Sequence, residues 1–224
     1  MSHLNLDAFY ATPLVHEPFP YLIVPGFVRK EALPAIHADF PKIEHPGSFP
    51  LAELTYGPAF RTLVEEMTSD AVRQAFESKF GLSLKHHPIM LTVRGWCRET
   101  DGQIHTDSPS KLITVLVYLN LKWETDGGRL RLLRSPHHLD DVLVEVPPIE
   151  GTLLAFRRTD NSWHGHKPYA GPRRVLQMNW MTSHRQMRRE IWRHRLSALV
   201  KRFWPRYRSR QSQPTFSSWS SVQP

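Results

Sequence analysis

Three His-x-Asp pairs in this chain could supply ligands to a metal ion: His37-Ala-Asp39, His105-Thr-Asp107 and His138-Leu-Asp140. An imidazole and a carboxylate two residues apart make up two thirds of a common catalytic metal site, but the pattern is cheap. With 13 histidines among 224 residues, composition alone yields about half such a pair by chance. Surroundings have to choose among the three. His37 and Asp39 fall in RKEALPAIHADFP, which reads as a short helix closed by Pro41. Residues two apart on a helix project about 200° apart and cannot easily share an ion. His138 and Asp140 lie in the turn-like stretch RSPHHLDD, with no obvious third partner on a separate strand. His105 and Asp107 end GQIHTD, and residues two apart on a strand face the same side.

Downstream, SWHGHKPYAGPRRVLQMNW offers His164 and, ten residues later, Arg174 at the start of a strand. Two histidines and one carboxylate with open positions opposite form the facial triad of non-haem Fe(II) oxygenases. Such a centre favours an anionic, chelating co-substrate. An arginine deeper in the fold can grip a second carboxylate with its two-pronged guanidinium, which lysine does less well. His166 is an alternative third ligand, and Arg173 stands in tandem with Arg174.

These residues need a scaffold, and the pattern from Pro88 onward supplies one. IMLTVRGWC, GQIHTD, KLITVLVYLNL, GGRLRLLR, DVLVEVPP, GTLLAFR and RRVLQMNWM are short apolar runs bounded by Gly, Pro, Asp or Asn. Seven such runs at regular spacing predict an antiparallel sandwich or barrel. Upstream, YLIVPGFV reads as a buried strand ending at a Pro-Gly turn. GPAFRTLVEEMTSDAVRQAFESKFG reads as two helices, with Ser69 capping the second and Gly81 stopping it.

Taken in order, His105-x-Asp107, VYLN (117–120), GGRLRLL (127–133), VPPIEGTLLAF (146–156), His164 with Pro168 and the Arg-x-Leu strand resemble the 2-oxoglutarate- and Fe(II)-dependent oxygenases, most closely the prolyl-4-hydroxylase-like branch. The resemblance covers about residues 88–182. It implies a mainly β, α+β fold: a double-stranded β-helix, or jelly roll, with flanking helices. It implies Fe(II) held by His105, Asp107 and His164, with 2-oxoglutarate as co-substrate and O₂ as oxidant. His164 is taken over His166 because Pro168 follows four residues later, as in the family. Arg174 is taken as the co-substrate anchor because Arg174, Leu176, Met178 and Trp180 match the family's spacing from anchor to aromatic. Tyr118 matches a position that hydrogen-bonds the same carboxylate. Where the family often has tyrosine before the His-x-Asp pair, this chain has Trp96, an N–H donor that cannot accept.

The implied activity is hydroxylation of a substrate C–H bond, with a small metabolite or glycan favoured. The alternatives are a prolyl hydroxylase of a protein and a cupin-like metal-binding or isomerase protein that uses His164 and His166 without 2-oxoglutarate. The implied organisation is a helix-strand supporting region (1–87), the oxygenase core (88–183), a basic amphipathic helix (184–206) and a disordered end (207–224). The net charge of +8 is concentrated in one place: residues 184–210 hold ten Lys/Arg against Glu190, and the remainder is nearly neutral. The basic stretch is a candidate for packing on the core or for contact with an anionic membrane surface, ahead of nucleic acid. A single cysteine, Cys97, excludes an internal disulfide and a CxxC zinc site. With no signal-peptide pattern and no long apolar run, the expected location is the cytoplasm.

Overall fold

Two strands with opposite preferences on their two faces organise the molecule. In KLITVLVY and GPRRVLQMNWM, alternate residues are apolar on one face and mixed on the other. Such strands must lie between an apolar layer and a second, more polar compartment. The computed structural model describes residues 2–203, with residues 194–203 described by their backbone alone. Residues 204–206 of the expected basic helix and the end expected to be disordered, 207–224, lie outside the described residues.

The elements run α1 (Leu6–Ala11), β1 (Tyr21–Val24), α2 (Leu33–Ala38), β2 (Phe49–Pro50), a 3₁₀ turn (Leu51–Glu53), α3 (Pro58–Met67), α4 (Asp70–Phe80), β3 (Ile89–Cys97), β4 (Lys111–Tyr118), β5 (Leu130–Leu133), β6 (Val142–Val146), β7 (Leu153–Arg157), β8 (His164–Gly165), β9 (Gly171–Met181) and α5 (His184–Phe203). Ser69 caps α4 by accepting from the Val72 N–H, and Gly81 ends it at φ +63° in the left-handed region, as the sequence predicts. The strands form a six-stranded sheet in the order β1-β7-β4-β9-β3-β2 and a three-stranded sheet in the order β6-β5-β8. The paired strands are antiparallel throughout. This is the expected mainly β architecture with helices against one face. GQIHTD, expected as a strand, is a loop that touches the small sheet through one bridge, His105 to His164.

The larger sheet separates two apolar clusters. On its outer face Ile113, Val115 and Val117 of β4, Leu153 and Ala155 of β7, and Leu176, Met178 and Trp180 of β9 pack against the helices. The rings of Phe9 and Phe76 lie 4.7 Å apart and those of Phe76 and Trp180 4.8 Å apart, which ties α1 and α4 to β9. On the inner face Leu116, Tyr118, Leu154, Phe156 and Val175 meet Leu130 and Leu132 of the small sheet.

The first turns of α5 pack against β2, β3 and β9. Ser183 begins the helix by accepting from the Gln186 N–H at 3.3 Å. Glu190, 9% exposed, accepts from the Ser110 hydroxyl at 3.2 Å and from Arg193 at 3.3 Å. Met187 and Ile191 are half-buried beside it. Trp192, one residue further on, is 60% exposed. No helix among the described residues is long and apolar enough to cross a membrane.

Trp180→Ala removes the largest side chain of the helix-facing layer. It is expected to destabilise the protein by about 3–5 kcal/mol, read as a lower urea midpoint. A change below about 1 kcal/mol would mean that the helices do not depend on this face of the sheet.

Candidate active site

The site lies between the two sheets, where a loop from the larger one meets the shortest strand of the smaller. After β3 the chain turns at Gly102, whose φ of +86° favours glycine. A Cβ there would also stand 2.4 Å from the His166 ring. This close approach lets the Gly102 carbonyl accept from the His166 N–H at 2.9 Å. Beside that contact, His105 and His164 exchange backbone hydrogen bonds at 3.0 and 2.9 Å. Their rings lie 4.3 Å apart between centroids.

Both imidazoles are oriented by a carbonyl two residues upstream. His105 Nδ1 lies 2.7 Å from the Gln103 oxygen and His164 Nδ1 2.9 Å from the Ser162 oxygen. A carbonyl only accepts, so each Nδ1 carries the proton and each Nε2 keeps its lone pair for an electrophile. Burial pushes the His164 imidazolium down to about 4, with His105 adding to the shift and Asp107 opposing it. The His164 imidazole is therefore neutral near neutral pH.

Asp107 completes the group, and ligand atoms of His105, Asp107 and His164 all lie within 4.8 Å of one another. Its carboxylate is 8% exposed and each oxygen is hydrogen-bonded. Lys111 Nζ donates to Oδ1 at 2.6 Å, and the Thr114 hydroxyl donates to Oδ2. The hydroxyl in turn accepts from Asn179 Nδ2 at 2.8 Å, and Gln177 donates to Asn179 Oδ1 at 3.0 Å. Burial opposes ionisation of Asp107, but Lys111, His164 and the hydrogen bonds from Lys111 and Thr114 outweigh it and hold the carboxyl far below its usual range.

A cavity of about 230 Å³ opens on these ligands, and Arg94, Lys111, Thr114, Leu116, Phe156 and Arg173 are among the residues lining it. The tandem arginines face opposite to the arrangement the sequence suggests, with Arg173 and not Arg174 at the cavity. Arg173, 5% exposed, faces the cavity on β9 in line with Val175, Gln177 and Asn179. Arg174 is on the outer face with Leu176, Met178 and Trp180, and its guanidinium stands 5.1 Å from the Phe40 ring centroid. The apolar residues that fixed the register in the sequence belong to the face packed on the helices. The polar alternation Arg173, Gln177, Asn179 was the signal that identifies the inner face.

Tyr118 is on that inner face, fully buried, with Arg173 5.5 Å from its ring centroid. Arg173 Nε donates to the Gly128 carbonyl at 2.8 Å, which fixes the plane of the guanidinium. Arg173 Nη2 and the Tyr118 hydroxyl are buried with no hydrogen-bond partner. Arg173 lines the cavity, and two neighbouring donors without hydrogen-bond partners suit an anion.

The other candidates fall elsewhere. Asp140 is tied to Arg131 at 2.7 Å, and His37 to Glu150. His166 lines the cavity, but among the described residues it is outside the ligand cluster. Lys111, Thr114, Gln177 and Asn179 were not singled out from sequence. Thr114 alternates in register with Leu116 and Tyr118, and Lys111 joins that face through a register shift between Lys111 and Ile113, but nothing local marks a threonine or asparagine as a carboxylate's partner.

Residues 95–182 match the family model of the 2OG-Fe(II) oxygenase superfamily. No curated protein matches the sequence. Among solved structures, a Pseudomonas putida prolyl-4-hydroxylase is similar with a TM-score of 0.53 and 18% identity, over 79% of this chain and 90% of that one. A Phytophthora capsici prolyl 4-hydroxylase is similar with a TM-score of 0.50 and 19% identity, over 81% of this chain and 68% of that one. At these identities the likeness is one of fold.

His105→Ala, Asp107→Ala and His164→Ala are each expected to abolish binding of Mn(II), used as a redox-silent probe in calorimetric titration, because each deletes one of three protein ligands. His138→Ala and His37→Ala should bind like the unaltered chain. Loss of binding in His138→Ala with retention in His105→Ala would move the metal site away from this cavity.

Proposed function

We propose that this chain, a 2-oxoglutarate- and Fe(II)-dependent oxygenase, hydroxylates a C–H bond of a small metabolite or glycan and converts 2-oxoglutarate to succinate and CO₂. One observation carries the reading: a His-Asp-His cluster opens on the same cavity that Arg173 enters with an unpaired, buried guanidinium nitrogen. A cupin-like metal protein without 2-oxoglutarate has no use for that nitrogen.

The residues present fit the implied groups. His105, Asp107 and His164 would hold Fe(II) through two neutral imidazoles and one ionised carboxylate. Arg173 and Tyr118 would hold the far carboxylate of 2-oxoglutarate with the two donors that lack partners. When bound together, iron, 2-oxoglutarate and O₂ supply an oxidant strong enough to break an unactivated C–H bond.

The chain's own contribution is placement and exclusion of water. The Ser162 and Gln103 carbonyls set the imidazole tautomers. Thr114 and Lys111 hold both carboxylate oxygens of Asp107, so the ligand cannot rotate freely. Leu116, Leu130, Phe156 and Val175 give the cavity apolar walls beside the cluster, which keeps bulk water from a reactive centre. The cavity is smaller than the roughly 300–1,000 Å³ usual for small-molecule sites, and the co-substrate takes part of it. This favours a small reacting moiety.

Under anaerobic conditions, Fe(II) with 2-oxoglutarate is expected to give a weak visible charge-transfer band with the full chain; its absence would contradict the reading. Arg173→Ala is expected to raise the apparent KM for 2-oxoglutarate about 30-fold or more, matching the roughly 2–5 kcal/mol lost when a buried charge pair is broken. Arg174→Ala should change it less than about threefold, as for a surface substitution. The reverse order in a succinate-release assay would place the anchor on the other face of β9.

A further inference from the structure

The cavity holds more positive charge than the proposed chemistry uses. Arg94, Lys111 and Arg173 line it, and Asp107 is the one acidic residue among its described lining residues. Arg173 is committed to the co-substrate in the function proposed above, on which this inference rests. Arg94 is also satisfied: Nη1 donates to Asp101 at 3.0 Å and Nη2 to Ser48 at 3.3 Å. Lys111 is in a different position. Its side chain is 10% exposed, and its ion-pair partner at 2.6 Å is Asp107, the carboxylate the metal needs.

A divalent metal on Asp107 would share that carboxylate with the ammonium and set two cations close together in a cavity sheltered from water. Like charges at such range repel strongly at low dielectric, and a buried ammonium without an anion is costly. The co-substrate does not remove the difficulty. Its far carboxylate belongs with Arg173 and Tyr118, and its near one goes to the metal. Lys111 is also at the opposite end of β4 from that anchor. It pairs with Met181, whereas Tyr118 pairs with Val175, which puts the two backbone positions roughly 20 Å apart along the strand.

We propose that Lys111 binds an anionic group of the substrate, a carboxylate or a phosphate, and so selects acids over neutral sugars and amides. The group would supply a second anion for Lys111 where the Asp107 carboxylate is shared with the metal, and would hold the reacting carbon beside it. Lys111 is then a specificity-determining residue, and the substrate is a small anionic molecule.

The test uses the full chain with Fe(II) and 2-oxoglutarate under anaerobic conditions, at constant ionic strength set with sodium chloride. Acetate, inorganic phosphate and neutral acetamide are added while the visible charge-transfer band is followed. The expected result is a saturable shift of the band with acetate or phosphate and none with acetamide. Acetate alone points to a carboxylate substrate and phosphate alone to a phosphorylated one. Lys111→Met also removes one of the two donors on Asp107, so it is compared with the unaltered chain at Fe(II) and 2-oxoglutarate concentrations that saturate its own band; half-saturation by the anion is then expected to weaken at least about tenfold, the loss of one charge-assisted contact. Lys111→Arg should recover most of the response. The proposal is overturned if neither anion shifts the band in the unaltered chain, or if Lys111→Met responds equally. It is also overturned if Lys111→Met and Lys111→Gln both fold, by thermal melt, yet lose the band, since Lys111 would then serve the metal or co-substrate instead. A band missing from the unaltered chain would overturn the oxygenase reading itself.

Discussion

The antiparallel register between β4 and β9 is the constraint on which the rest of the structure depends. Thr114 stands opposite Asn179, Leu116 opposite Gln177 and Tyr118 opposite Val175. With this pairing, the inner face of two neighbouring strands carries the hydroxyl, amides and guanidinium that serve the cavity. The outer face carries the aliphatic and aromatic residues that the helices cover. A slip of one residue would exchange the faces. It would bury Arg173 and Asn179 among Phe9 and Phe76 and turn Leu176, Met178 and Trp180 into the cavity. The apolar face thus holds the polar one in place, because the cost of exposing it fixes the register.

The second constraint is a buried carboxylate. Asp107 stays charged in a sheltered site because Lys111 and Thr114 reach both of its oxygens. The direction of the hydrogen bonds is set from outside the site. Gln177 donates to Asn179, so the Asn179 amide nitrogen must point to Thr114, and the hydroxyl proton is left for Asp107. The imidazoles are directed in a comparable way by the carbonyls of Gln103 and Ser162. The ligand geometry is therefore prepared by backbone and neighbouring strands. Glu190 of α5 extends this support by holding Ser110, in the turn between Asp107 and β4.

Most of the site could be read from the chain because its residues are local signals. His105 and Asp107 are close in sequence, and the apolar runs around them mark strands by period and boundary. Helix geometry set the His37 pair aside, and the choice of His105 over His138 drew on His164 downstream and on the order of the family's motifs. The error at the tandem arginines has a definite cause. Leu176, Met178 and Trp180 set a clear period of two, but periodicity does not say which face meets the cavity when both faces of a strand are buried. That information lies in the helices, sixty or more residues upstream in sequence, which cover one face. Lys111, Thr114 and Asn179 escaped notice for a related reason: their roles follow from pairing between distant strands. GQIHTD was too strand-like in sequence to be read as a loop, although its single bridge to His164 is enough to aim both ligands.

In the proposed function, the metal and the co-substrate's far carboxylate would be bound on the same inner face, at the His-Asp-His cluster and at Arg173. A crystal structure of the full chain with Mn(II) and 2-oxoglutarate, with the metal located by its anomalous signal, tests it directly. The account predicts one metal peak bonded to His105 Nε2, His164 Nε2 and an Asp107 oxygen, with 2-oxoglutarate running from it to Arg173 and the Tyr118 hydroxyl. A metal bound at His138 or away from this cavity, or a co-substrate carboxylate held by Arg174, would contradict it.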